Sequence, residues 1–144
     1  MLEQAVYNIL RTDSGVRALV TNDKGIAFTL IPRGELSTSA VVVIHSITGV
    51  PVTVMESTTD LEERRLQFDC YASDYVSTRK LSAAVRAALI DLSGQYSNGD
   101  TPPSFTTIQT SIVNGDFDAP YEVGGAGVGF IYRAILDISF FVQQ

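Results

Sequence analysis

The sequence has little of what most catalytic and metal sites are built from. Its 144 residues include one cysteine, one histidine and no tryptophan. A single cysteine excludes an internal disulfide and is compatible with a reducing cytoplasm. One cysteine and one histidine cannot complete a structural zinc site, and neither CxxC nor HExxH spacing occurs. The composition therefore predicts neither a metal nor a cofactor.

Positive charge is also scarce. Lys and Arg number 10 against 16 Asp and Glu, which gives a formal net charge of −6. Domains that grip nucleic acid through its phosphates are usually basic, so this balance argues against such a role. No apolar run approaches the roughly 20 residues of a membrane span. The amphipathic N-terminus also lacks a basic segment followed by an apolar run, so no signal peptide is expected.

Apolar residues, in contrast, are abundant. They make up 45% of the chain and charged residues only 18%, which predicts a folded protein. The length predicts one domain, residues 1–144, around one hydrophobic core. A mean hydropathy of +0.17 is high for a small soluble monomer. Either the excess apolar surface is buried between subunits, or the core is larger than usual.

Helical periodicity appears in three places. Residues 2–12 carry apolar side chains at helical spacing, and Ser14 is positioned to cap a short second helix. A third, longer helix is predicted after a cap at Ser73 or Asp74 and runs to about Leu92.

Alternating or β-branched segments predict five strands. They are residues 26–32, 40–49, 64–72, 105–113 and 129–142. The second strand is apolar on both alternating faces, which is typical of a strand covered on both sides, by its own fold or by another subunit. The order ααβββαββ predicts an α+β fold, with a mostly antiparallel sheet packed against one long helix and short N-terminal helices.

Two segments read as loops. Residues 93–104 are rich in Ser, Gly, Asn and Pro, and residues 114–129 are glycine-rich and acidic. The GGAGVG stretch at 124–129 does not match a phosphate-binding loop, because its glycines lack GxGxxG spacing and a strand rather than a helix follows. A hairpin loop is the expected structure.

Cys70 lies in the LQFDCYA stretch and is the first candidate for chemistry. Leu66, Phe68 and Cys70 alternate on one face of the predicted strand, which favours a small buried side chain. A catalytic thiol would need His45 as its base, and pairing of the two strands leaves such a dyad geometrically open. A reactive thiol prefers an electropositive, accessible setting, however, and Asp69 is the immediate neighbour.

Clustered carboxylates are the second candidate. The sequence from Asn114 to Asp118 matches a calcium loop only loosely, because acidic ligands are required at defined alternating positions. We therefore expect these clustered carboxylates to be exposed to solvent rather than to bind a metal ion.

Several stretches together resemble a known family. They are RTDSGVRALV near the N-terminus, the central RRLQFDCYASDY and the RKLSAAVRAAL that directly follows it. This succession of elements is similar to the tail completion proteins of long-tailed bacteriophages and gene transfer agents, also called tail terminator or tail-to-head joining proteins. Gln67 to Ala72 and Leu81 to Leu89 match the family pattern well, whereas the Thr-rich 50–60 segment and the 114–129 segment depart from it.

The resemblance implies a non-enzymatic virion protein without a cofactor. It implies a homo-oligomeric ring, with six subunits, at the head-proximal end of a siphovirus-type tail. The expected partners are the tail tube protein and the head connector or stopper protein, with DNA passing through the lumen without specific binding. Assembly is expected in the bacterial host cytoplasm. A head-completion or stopper protein and a tail-tube subunit are the alternatives, and a small Cys/His hydrolase is the alternative from another class.

Two sets of residues are candidates for contacts in such a ring, since a cyclic ring joins two different patches of each subunit. The first set contains apolar residues of the second and last strands, together with His45, as a subunit interface. The second contains acidic residues that would face the lumen or a partner ring. The interface candidates are Val41, Val43, His45, Ile47, Phe140 and Phe141, and the acidic candidates are Glu56, Glu62, Glu63, Asp116, Asp118 and Glu122.

Overall fold

The computed structural model describes most of the chain. The described residues are 2–21, 25–29, 40–53, 58–122 and 130–143. Within these ranges the structure describes the backbone but not the side chains of residues 48, 50–53, 58–60, 120–122 and 130–131.

Three helices form in the described part of the chain: α1 (Leu2–Thr12), α2 (Ser14–Leu19) and α3 (Tyr75–Leu89). The prediction for α1 is confirmed, and α3 ends three residues before the expected position at Leu92 because Ile90 leaves the helical conformation. None of these helices has the length and apolar character needed to cross a membrane.

The helix caps are carboxylates. Asp74 caps α3 as predicted, and its side chain accepts a hydrogen bond from the Ser77 amide at 2.7 Å. Hydrogen bonds from the Ser77 hydroxyl and amide lower the pKa of the Asp74 carboxyl. The cap of α2 is Asp13 rather than the expected Ser14, since the Asp13 carboxylate accepts from the Val16 amide at 3.0 Å.

The described strands form one six-stranded sheet in the order β1-β2-β3-β6-β5-β4. Only β1 pairs in parallel, with β2, and every other neighbouring pair is antiparallel. The mostly antiparallel α+β fold is therefore confirmed. The strands are β1 (Ile26–Phe28), β2 (Val41–Thr53), β3 (Thr58–Ala72), β4 (Gly94–Ser97), β5 (Phe105–Glu122) and β6 (Phe130–Gln143).

Two loop predictions were wrong in part. Residues 94–97 of the first expected loop form β4, so the order is ααβββαβββ. Residues 114–122 of the second continue β5, paired with β6 as far as Glu122 opposite Phe130. A long neighbouring strand supplies hydrogen bonds to the backbone whatever the side chains are, which overrides the weak strand propensity of Gly and Asp. The GGAGVG stretch lies outside the described residues.

The hydrophobic core lies on the side of the sheet where the helices pack, which we call the helical face. Alternate residues of the three central strands point there, including Ile44, Phe68 and Leu136, all 0–1% exposed. The amphipathic helices α1 and α3 cover them with side chains such as Val6 and Leu81. Burial of this apolar surface is the main stabilising contribution to the fold.

We call the opposite side of the sheet the second face. Register places His45, Asp69 and Ile135 on this side, because they alternate with core residues on their strands. Val41 and Val43 also point there, yet both are at most 1% exposed in the isolated chain. The prediction that β2 is covered on both sides is thus confirmed for its first half, and the cover belongs to the same subunit.

Candidate interface surfaces

The cysteine and the histidine lie on opposite faces of the sheet. Cys70 is fully buried in the core on the helical face, opposite Val42, whereas His45 points to the second face, opposite Gln67. Burial, with a smaller contribution from the Asp69 charge, raises the pKa of the thiol well above its ordinary value. A Cys–His dyad therefore cannot form, and Cys70 is a packing residue.

Cys70→Ala is expected to lower the free energy of unfolding by about 1 kcal/mol, because a small apolar side chain is removed from the core. Oligomeric assembly should be unaffected, since no surface changes. Urea denaturation and native mass measurement of the variant test both parts. Loss of assembly at unchanged stability would contradict the packing role.

His45 instead interacts with a buried carboxylate. Its Nε2 lies 3.3 Å from Oδ2 of Asp69, whose residue is only 4% exposed. The same carboxylate accepts from the Gln67 amide at 2.8 Å and from the Tyr71 hydroxyl at 3.4 Å. These partners satisfy a polar group that would otherwise be costly to bury.

The acidic residues of β5 are held by α3. Arg79 on α3 contacts Asp116 through two hydrogen bonds of 2.9 and 3.1 Å and reaches Asp118 at 2.9 Å. Asp116 also accepts from the hydroxyl of Ser82, and Asp118 from that of Tyr75. Hydrogen bonding to Asp116 is the main cause of the raised pKa of the Arg79 guanidinium. The favoured interpretation of solvated carboxylates was wrong for Asp116, because periodicity along the strand turns it toward the helix.

The remaining described acidic candidates are Glu62 and Glu63 on β3 and Glu122 at the end of β5. Glu63 accepts a hydrogen bond from Ser139 at 2.9 Å, and Glu62 lies 3.8 Å from Arg64. Glu122 ends β5, with its side chain undescribed, and Glu56 lies outside the described residues. Within the described part of the chain, no cluster of three or more His, Cys, Asp or Glu residues is arranged to hold a metal ion.

Burial excludes some of the apolar residues that were candidates for a subunit interface. Val41, Val43 and Phe140 are 0–1% exposed, so they offer no side-chain surface to another subunit and are withdrawn as interface candidates. Phe140 belongs to the core because its register partners, Arg64 and Ser111, lie on the helical side of their strands. His45 and Phe141 are partly exposed, and Ile47 is 44% exposed at a register shift of β2.

Polar side chains form a ladder across the centre of the second face. Arg65 on β3 pairs with Asp137 on β6. Asn114 on β5 donates to the Ser139 hydroxyl at 2.6 Å, and that hydroxyl donates to Glu63 on β3. The hydrogen bond from the Arg65 guanidinium to Asp137 raises the pKa of Arg65. These bonds tie three neighbouring strands together, and the sequence alone did not pair them because their partners are distant along the chain.

The outer part of β5 carries apolar side chains that sequence reasoning missed. Ile112 is 50% exposed and Phe117 52% exposed, both on the second face. On the helical side, next to the same strand, Tyr75 is 50% exposed and packs edge-on against Tyr132. Exposed apolar side chains on both sides of one strand are typical of an interaction surface. Strict alternation would place Ile112 and Phe117 on opposite faces, and the register shift between Val113 and Gly115 brings them to the same face, so the sequence alone carried no signal for this pair.

The fold itself is shared with a protein of a virus-like particle. A chain of the structure described as "Virion of native gene transfer agent (GTA) particle" is similar to this chain with a TM-score of 0.66 and 16% sequence identity. The similarity covers 98% of this chain and 94% of the other. At this identity the comparison establishes the fold alone.

The sequence identifies the family. The family described as tail completion protein gp17 matches residues 4–113, and the chain belongs to this family. A search of curated protein sequences found no match. The match includes all three stretches that carried the resemblance, and it makes this chain a structural protein of phage tails and virions.

Proposed function

We propose that this protein forms a ring at the head-proximal end of a phage tail tube, where it ends tube polymerisation and joins the tail to the head connector. Membership of the tail completion family, over residues 4–113, is the observation that carries the proposal. By analogy with the family, the ring is a hexamer. The tail tube protein contacts one side of the ring and the connector or stopper protein the other.

The side chains support a structural rather than a catalytic role. Cys70 and His45, the pair that a hydrolase would need, are separated by the sheet. The polar clusters on both faces consist of matched ion pairs and hydrogen bonds between neighbouring elements, which hold the subunit together. The hydrolase alternative therefore loses its proposed nucleophile and base.

The acidic balance supports passage of DNA through the ring without specific binding. A net charge of −6 repels phosphates, so a duplex would not adhere to the lumen wall. The described residues that we place at the lumen or a partner ring are Glu62, Glu63 and Asp118, whose side chain is 48% exposed. Asp116 contributes less to either surface because Arg79 neutralises it.

The proposal is tested by adding the purified protein to tail tube subunits that are polymerising. Tubes should stop growing and remain shorter, with one additional layer at one end visible by electron microscopy. Native mass measurement of the capped end should give a closed oligomer of this chain. Tube subunits without the protein are the control.

Two other results would each favour an alternative. Incorporation of the protein as repeated layers along the tube would identify a tube subunit. Binding to connector-bearing heads with no effect on tube length would identify a stopper. Either result would overturn the terminator role.

A further inference from the structure

The two edges of the sheet are each covered along only part of their length. β1 pairs with β2 at Val42–Ile44, and beyond Ser46 no other described strand lies on the outer side of β2. At the other edge, β4 pairs with β5 at Phe105–Ile108. From Gln109 onward, no described strand lies on the outer side of β5.

The two short strands lie at opposite ends of the sheet. Register partners on neighbouring strands lie side by side, so a row of partners across the sheet shows which residues stand at the same position along the strand direction. β1 is level with the far part of β5, and β4 is level with the far part of β2. One row of register partners is Ala27, Val43, Asp69, Ile135 and Phe117, and another is Pro51, Glu62, Val142, Ile108 and Gly94.

The two outlines are therefore complementary. Each edge has one short protruding strand and one recess, and each protrusion lies at the height of the opposite edge's recess. Both halves of the contact are present on every copy, on opposite edges of one sheet. This is the arrangement that a head-to-tail, heterologous interface requires.

We propose that a second copy of this chain occupies the free edge of β5. The outer edge of β1 from one copy pairs with the Gly115–Ala119 segment of β5 in the next, and β4 of that next copy lies beside β2 of the first. The inference rests on the proposed ring and specifies how its subunits join, as a sheet that continues from one subunit to the next.

Strand direction is compatible with this pairing. β1 runs parallel to β2, and three antiparallel steps separate β2 from β5, so β1 and β5 run in opposite directions. Rotation about a ring axis keeps each strand's direction along that axis. β1 of one copy therefore meets β5 of the next as an antiparallel pair, which forms regular hydrogen bonds.

The charges along the two edges also favour a second copy of this chain as the partner of β5. Edges that must stay unpaired are commonly protected by lysine or another charge, and neither Ile26–Phe28 nor Gly115–Ala119 contains Lys or Arg. The carboxylates in the β5 segment, Asp116 and Asp118, point to the helical side and are engaged by Arg79. An uncharged strand such as β1 meets no unbalanced repulsion there, whereas a second acidic segment would.

Apolar contacts add to the backbone pairing. Phe117 is 52% exposed on the second face and stands level with Ala27 of β1. Phe28 of β1 is 41% exposed and is level with Asp116, next to the exposed Tyr75 on the helical side. Pairing of the edges would bury exposed side chains on both faces.

Disulfide crosslinking tests the pairing in the ring. Ala27→Cys is combined in turn with Gly115→Cys, Phe117→Cys or Ala119→Cys, which share the second face and allow for a stagger of two residues either way. Within one subunit these sites are four strand spacings apart, or roughly 19 Å, so any disulfide must join two copies. The buried Cys70 does not compete.

One of the three pairs should crosslink most chains of the ring into a ladder of oligomers. The Ala27→Cys and Ala83→Cys combination, with the second cysteine on the exposed side of α3, is the matched control and should stay monomeric on a denaturing gel. Absence of crosslinks from all three pairs in rings that do form would overturn the β1–β5 pairing and leave the proposed ring intact.

Phe117→Lys provides an independent measurement, because it places a charge on the edge without changing a buried residue. The variant should keep the wild-type melting temperature and lose ring formation, whereas Ile90→Lys, also at an exposed position, should keep both. Rings formed normally by Phe117→Lys would contradict the inference. A wild-type chain that stays monomeric alone and on tail tubes would overturn the proposed function, and the pairing with it.

Discussion

Phe68→Ala is expected to lower the free energy of unfolding by about 3–5 kcal/mol, because a large buried aromatic side chain is removed from the core. Phe68 is fully buried at the centre of the helical face. Its ring packs edge-on against that of Phe140, with centroids 6.4 Å apart and an interplanar angle of 67°. Truncation removes apolar contacts and this aromatic pair and leaves a cavity that the surrounding strands cannot fill.

Urea denaturation followed by circular dichroism measures this effect. Phe105→Ala is the matched control, because Phe105 lies on the same sheet but is 59% exposed, and its replacement should change stability by less than about 1 kcal/mol. Equal losses in the two variants would show that the core described for the helical face is wrong.

Arg79→Ala is expected to lower the free energy of unfolding by about 1–3 kcal/mol, because it leaves the partly buried carboxylate of Asp116 without its charged partner. The Asp116 side chain is 16% exposed and that of Arg79 is 33% exposed, so solvent can compensate only part of the loss. The same change removes the ion pair between Arg79 and Asp118 and leaves Asp118 with the Tyr75 hydroxyl as partner, so it should raise local mobility where α3 meets β5. Thermal unfolding and amide exchange at residues 75–82 measure these two effects.

A double-mutant cycle separates the ion pair from other contributions of the Arg79 side chain. If the ion pair causes the loss of stability, Arg79→Ala should lower the free energy of unfolding clearly less in an Asp116→Asn background than in the wild type. Arg86→Ala, at an exposed position of the same helix, is the control and should have little effect. If Arg79→Ala lowers the free energy of unfolding equally in both backgrounds, the ion pair with Asp116 is not the cause of the loss.

The helices and the central strands could be predicted because their patterns are local. Helical spacing in α1 and the Asp74 cap of α3 are properties of neighbouring residues, and the alternation of Leu66, Phe68 and Cys70 correctly placed the cysteine in the core. The same alternation correctly indicated that Cys70 is a packing residue. The helical face is covered by helices, so the thiol there has no access to solvent.

The failures arose where a distant partner determines the structure. The continuation of β5 through Gly115 and Asp116 depends on β6, and β4 exists because Phe105–Ile108 offers it an edge. Neither partner can be identified from local composition. The ion pair between Arg79 and Asp116 likewise joins residues 37 positions apart, so the sequence showed only an acidic cluster.

Apolar character did not separate candidate interface residues from core residues, because both kinds of position carry the same side chains. Val41, Val43 and Phe140 proved to be buried within the subunit. Exposed apolar residues such as Phe117 lie instead in the segment that was expected to be a loop. Pairing with Ile135 places Phe117 on the second face, whereas the register shifts between Ile108 and Thr110 and between Val113 and Gly115 interrupt simple alternation along β5.

Two contacts attach α3 to the same strand near both of its ends. Arg79, in the first half of the helix, bonds to Asp116, and Ser111 donates to the Leu89 carbonyl at 2.5 Å and accepts from the Leu92 amide at 3.0 Å. A helix fixed to a strand at two separated points cannot rotate or slide independently of it. Any displacement of β5 would therefore carry α3 with it, so a mechanical load applied at one edge of the sheet would reach the helical layer directly.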